Sequence, residues 1–137
     1  KAGATGPGDY LIRNLLGADR ERGFLAVGDH LPEREHIRLH VRDGAGARED
    51  LEMLLSPQVF DSHAQAALLF SCNGRGRGLY GEPDRDIVTL QGALGGGVPV
   101  AGMFCAGEIG PVATRNYLHG HTASIAVVRT KARRDEA

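Results

Sequence analysis

The chain has 137 residues, 16 basic and 17 acidic side chains, and a formal net charge of −1 at pH 7. That is the size of one ordinary domain, able to bury a core without disulfides or a structural metal, and the balanced charge excludes a whole-molecule field that would gather nucleic acid or anionic lipid. No apolar run approaches the roughly 20 residues that cross a bilayer, and no charged start leads into a short apolar stretch, so neither nucleic acid nor a membrane interior is an expected partner and the expected compartment is the cytoplasm.

In chain order, residues 1–8 are small and turn-prone and are expected to form a flexible N-terminus; Lys1 stands first with no methionine, as in a piece excised from a longer protein. Apolar bursts at Tyr10 to Leu16, Phe24 to Val27 and His36 to Val41, separated by Gly17, Gly23, Gly28 and Pro32, predict three strands in an antiparallel meander. In the third, Ile37, Leu39 and Val41 alternate with His36, Arg38, His40 and Arg42, the period of a half-buried strand with a solvated polar face. Leu51, Leu54, Leu55 and Val59 recur at helical spacing within Gly46 to Phe60, with Pro57 marking the end of that helix.

Ala66 to Cys72 is a continuous apolar run, expected as a strand buried on both faces. A Gly-rich loop follows, then a helix announced by Pro83, Asp84 and Asp86 and carried by Ile87, Leu90 and Leu94 up to Gly95. Val98 to Ala106 is the next buried strand, reached by a parallel crossover, and Tyr117 to Arg129 a last β-rich run interrupted by Gly120. The expected fold is α/β (α+β): a mixed sheet with an N-terminal antiparallel meander, in the order βββαβαββ, helices packed on the sheet, all in one domain over residues 9–130. Residues 131–137 are expected to be a flexible charged tail. Cys72 and Cys105 lie in apolar runs, where a free thiol behaves as a small hydrophobe.

Loops leaving the carboxyl ends of two parallel strands emerge at one edge, the usual place for a ligand in an open α/β sheet. With the last run returning antiparallel, Asn73, Arg75, Gly76, Arg77, Glu108, Arg115, Asn116 and His119 are expected to converge there as a ligand-binding site. The two guanidinium groups suit a carboxylate or phosphate, and Glu108 suits an ammonium or hydroxyl group. An amino acid has both ends. A structural alternative makes Glu108 an internal partner of Arg75, Arg77 or Arg115.

Three further chemistries are open. Gly76, Gly78 and Gly81 satisfy G-x-G-x-x-G between a strand and a helix, which makes a nucleotide-using enzyme the second reading, although all three precede Pro83 and the loop is charged. If Gly120 does not bulge, His119 and His121 would share a strand face and could form a metal pair with Cys105 or Glu108, but no third ligand has suitable spacing. Cys72 with His119 as base is a nucleophilic arrangement. No catalytic residue, metal or cofactor is assigned; a pure interaction module is the third class.

Four segments, Leu69-Phe-Ser-Cys-Asn-Gly-Arg-Gly-Arg77, Val98-Pro-Val-Ala-Gly-Met-Phe104, Ala106-Gly-Glu-Ile-Gly-Pro111, and Asn116-Tyr-Leu-His119 followed by Thr122, stand in an order that resembles the C-terminal domain of the FIST family, named for F-box and intracellular signal transduction proteins. Tyr10-Leu-Ile-Arg-Asn14, Ala26-Val-Gly-Asp29 and His40-Val-Arg-Asp43 extend the resemblance more loosely toward the start, while Ala113 and Thr114 stand where glycines are expected. The resemblance implies a sensory domain that binds small ligands, amino acids among them. It also implies an N-terminal FIST domain ahead of this one and signalling partners such as chemoreceptor, kinase or cyclic-dinucleotide modules, or ubiquitin-ligase recruitment in F-box relatives.

Overall fold

A computed structural model describes residues 10–31, 37–60, 64–112 and 114–130. Within them the expected α+β architecture is present as helices and mixed sheets. Strand β1 (Leu15–Asp19) pairs antiparallel with β2 (Phe24–Val27). The turn between them is closed by Asp19, whose carbonyl and carboxylate accept the Gly23 and Arg22 N–H groups at 2.9 Å each. Gly23, at φ 70°, supplies the left-handed residue this turn requires.

The meander stops at two strands. Residues 37–43 belong to no sheet, and Ile37, Leu39 and Val41 are exposed, so the alternation in this segment has no neighbouring strand among the described residues to pair with; His36 lies outside them. Both terminal segments expected to be flexible, residues 1–8 and 131–137, also fall outside them.

Helix α1 (Gly44–Leu55) starts at Asp43, whose carboxylate accepts the Gly46 N–H at 2.8 Å, and passes into a 3-10 turn over Ser56–Phe60 around Pro57. Strand β3 (Ala64–Cys72) leads through a loop and one helical turn, α2 (Arg77–Tyr80), into α3 (Arg85–Leu94). Strand β4 (Val100–Cys105) then runs parallel to β3, as a crossover demands, with Cys72 opposite Cys105.

A hairpin follows, β5 (Glu108–Val112) against β6 (Arg115–His119), in a stretch whose first half the glycines and Pro111 mark as loop. The run expected as one strand from Tyr117 is thus broken at Gly120. Its second part, β7 (Ala123–Arg129), pairs antiparallel with β3 and completes a sheet of order β4-β3-β7.

The core lies on one face of this sheet. Leu51 and Leu55 of α1 and Leu90 and Leu94 of α3, each pair one helical turn apart, pack with Ala64, Ala67 and Leu69 of β3. Leu90 is wholly buried. The expectation that β3 and β4 are buried on both faces does not hold for this chain: Leu68 is exposed on the other face of β3, and most of β4 is open to solvent.

Candidate functional site

The ends of β3 and β4 and the turn before β7 meet at one edge. The Asn73 N–H donates to the Cys105 carbonyl at 2.8 Å, and the Cys72 N–H donates to that of Thr122 at 3.0 Å. The loop after β3 then turns sharply: the Arg75 N–H returns to the Cys72 carbonyl at 2.8 Å, and Gly76 (φ 66°) admits a left-handed bend into α2.

That bend sends the Arg75 side chain inward, where it is 9% exposed, a burial that a guanidinium tolerates only with partners. Asp86 supplies them: Nε and Nη2 of Arg75 each lie 2.8 Å from one of its oxygens, a bidentate pair. Arg75 Nη2 also donates to the Tyr80 hydroxyl, and Nη1 to the His121 carbonyl at 3.3 Å. Asp86 further accepts from Ser71 Oγ and Tyr80 Oη at 2.7 Å each. Burial pushes the Asp86 carboxyl up, but the hydrogen bonds from Arg75, Ser71 and Tyr80 outweigh it and hold the group below its ordinary value. Burial lowers Arg75 and Asp86 raises it, with a net rise; burial, then the bond to Asp86, pushes Tyr80 up.

The structural alternative for Arg75 is therefore realised, with a different acid. Its paired face, expected to meet a ligand carboxylate, is filled by Asp86. Asp86 also lies in the first turn of α3, so a negative charge already stands near the N-terminus that follows the glycines at 76, 78 and 81.

Glu108 opens β5 and is 3% exposed. Its Oε2 accepts from Thr122 Oγ1 at 2.8 Å, while Oε1 is buried with no hydrogen-bond partner among the described residues. None of the three arginines considered for it bonds to it. In the hairpin register Glu108 faces His119, whose Nε2 lies 2.9 Å from the Gly110 carbonyl.

Asn116 and Arg115 pair with Pro111 and Val112 at the other end of the same hairpin, three and four residues along. At about 3.3 Å per residue they sit roughly 10–13 Å from the Glu108 pair, and both are exposed. The expected convergence thus brings together Asn73, Arg75, Gly76, Glu108 and His119 and leaves Arg115 and Asn116 at the hairpin tip. Arg77 is exposed on α2, and Asn73 is exposed at the loop entrance.

His121 joins this edge to the start of the chain. At φ 64°, its ring nitrogens lie 3.2 Å from Arg42 Nη1 and 2.9 Å from Asn14 Oδ1. Arg42 Nη1 also donates to the Gly74 carbonyl at 2.5 Å. A Cβ on Gly74 would stand 2.3 Å from His121 Nδ1, so this glycine is required by the ring. The two histidines therefore turn to separate partners, and among the described residues no three His, Cys, Asp or Glu side chains are grouped to hold a metal ion. The buried Cys72 sulfur accepts the Gly74 N–H at 3.5 Å.

Sequence reasoning missed Ser71, Tyr80 and Asp86 as participants and considered His121 only as a metal ligand. Asp86 had a signal: it precedes Leu90 and Leu94 by four and eight residues and so lies on the buried stripe of α3. A carboxylate on such a stripe requires an internal cation.

Beside this network an open cleft of about 470 Å³ lies between the start of α3 and β4, lined by Leu69, Ser71, Asp86, Val100, Met103 and Phe104 among others. No helix among the described residues is long and apolar enough to cross a membrane.

The model of the FIST C domain family matches residues 2–111. A protein of Mycobacterium bovis described as uncharacterized is 46% identical over 126 residues, which are 90% of this chain and 32% of that protein. One of Mycobacterium tuberculosis, described in the same way, is 45% identical over 124 residues, 89% of this chain and 32% of its own length. The chain thus spans about a third of the curated relatives it matches. No solved structure matches it significantly.

Proposed function

Because the chain belongs to the FIST C domain family, a sensory-type domain family of signal transduction, we propose that it is a non-catalytic sensor of a small ligand that carries an ammonium or hydroxyl donor, an amino acid above all. The carrying observation is Glu108 Oε1, a buried carboxylate oxygen with no partner beside one that is bonded to Thr122. An unsatisfied buried acceptor of this kind costs about 1–3 kcal/mol, which a donor brought by a ligand recovers.

Glu108 is the anchor for the donor end. Arg75 holds the loop in shape through Asp86, and Arg77, exposed on the following turn with Asn73 at the loop entrance, is the guanidinium left to meet a carboxylate. The reactive groups nearby support a binding role: the Cys72 sulfur is engaged by Gly74, His119 by the Gly110 carbonyl, and Asp86 by four donor atoms. In the cytoplasmic setting proposed for it, ordering of the 73–81 loop on binding carries the signal to an attached or associated signalling module.

Thermal unfolding against amino acids, simple amines, small carboxylates and nucleotides tests this. A ligand at 100 times its dissociation constant stabilises by about 2.7 kcal/mol, a rise of several degrees. The expected result is a selective amino-acid shift that Glu108→Gln abolishes and Arg77→Ala weakens only for ligands with a carboxylate. A shift indifferent to Glu108→Gln, or one produced by nucleotides alone, overturns the reading.

A further inference from the structure

From Val98 to Gly107 the chain has no charged residue, and Val100–Cys105 reads as an interior strand of a parallel sheet, apolar throughout. Its position contradicts that composition. The sheet order is β4-β3-β7, so β4 stands at an edge, paired along one side only among the described residues. Met103 and Phe104 are 63% and 62% exposed there.

Edge strands in stable folds are usually guarded by a charge, a proline or a bulge. Here Pro99 precedes the strand, and the β3–β4 register runs without a shift from Ala67 to Cys72. The cleft flanking this edge has an apolar wall of Leu69, Ile87, Val100, Met103 and Phe104; of its polar members Ser71, Asp84, Arg85 and Asp86, Ser71 and Asp86 are already bonded to each other and Arg85 is paired with Glu82. What this surface lacks is a strand with an apolar side chain to set into the cleft.

The mycobacterial relatives, 45–46% identical across nine-tenths of this chain, carry about two thirds of their length outside the matched region. We propose that an extended apolar segment from that remaining two thirds adds to β4 as its missing neighbour, making it the interior strand its composition describes. This surface is separate from the Glu108 site but mechanically near it. A Cβ on Gly76 would lie 3.4 Å from Phe104 Cζ, so a strand seated on β4 bears through Phe104 on the 73–81 loop.

Amide hydrogen exchange measured on this chain and on the full-length Mycobacterium tuberculosis relative, peptide by peptide, is the test. The outward-facing amides of 100–105 are expected to exchange freely in this chain and at least roughly 100-fold more slowly at the matching positions of the full-length relative. A lysine placed in that relative at the position matching Met103 should restore fast exchange in the matching strand while the β3 match stays protected. Equal, fast exchange in both proteins overturns the proposal, as does exchange in the relative that the lysine leaves slow. Slow exchange in this chain alone, with a doubled mass by light scattering, assigns the edge to a second copy instead and overturns it equally.

Discussion

The two regions on either side of Asp43 both carry apolar strand-like segments, but the buried core is built from the later one. After Asp43, Leu90 is fully buried and Leu69, Leu55 and Leu51 are within a few per cent of it; before Asp43, Val41 is 89% exposed, Leu39 77% and Leu16 69%. The contrast teaches that alternation produces a strand only where a neighbour exists. Around β3 two helices and two strands converge, whereas the earlier segment has one hairpin and a few polar ties: Arg13 to Asp29, His121 to Asn14 and Arg42, and the Arg38 guanidinium 5.3 Å from the Tyr10 ring centre.

The largest expected effect falls on the buried pair. Asp86→Ala leaves the buried Arg75 charge without its carboxylate and should cost about 3–5 kcal/mol in denaturant unfolding, a large fraction of a typical domain's stability. The pH dependence has a defined sign. The folded Asp86 carboxyl ionises below its ordinary value of 3.8, so its stabilisation is complete above about that pH and is lost as pH falls through the depressed folded value. Unfolding followed from pH 6 downward should show an acid limb that Asp86→Asn flattens; Asp29, also lowered by its hydrogen bond to Arg13, keeps a remainder of it.

Next in size, Leu90→Ala should lose about 2–5 kcal/mol by opening a cavity where α3 meets β3. Glu108→Met is expected in the opposite direction, a gain of about 1 kcal/mol from removing an unpartnered acceptor, together with loss of any ligand-induced shift. A loss of stability from that change would show that Glu108 is structural. The smallest effect belongs to Val41→Ala, within about 0.5 kcal/mol in this chain. A cost comparable to that of Leu90→Ala would erase the difference between the two regions.

Much of this was legible in the residues. The helical spacing of Leu51 with Leu55 and of Leu90 with Leu94, and the parallel step from Cys72 to Val100 by way of α3, are local patterns that the fold follows, although the short α2 was not foreseen. That the loop after β3 and the start of β5 lie at the carboxyl ends of β3 and β4 also followed from strand direction. The partners did not, because each depends on groups far along the chain: Thr122 reaches Glu108 across 14 residues, and Arg75 took Asp86, 11 residues on, in place of the acid at 108. Ile37, Leu39 and Val41 carry the signature of a strand, and Val98 to Cys105 that of an interior strand. In both, periodicity reports which face is apolar and says nothing of whether a neighbour is at hand.

Gly74 and His121 bind two distant parts of the sequence to a common history. With the imidazole held by Asn14 and Arg42, there is no room for even a methyl group at position 74. A lineage can place a side chain there only after the ring at 121 has been exchanged for something smaller. That first exchange also releases the anchor of the opening segment. The order of substitution is thus constrained, and the two positions are expected to drift as a pair, with glycine persisting at 74 for as long as histidine persists at 121.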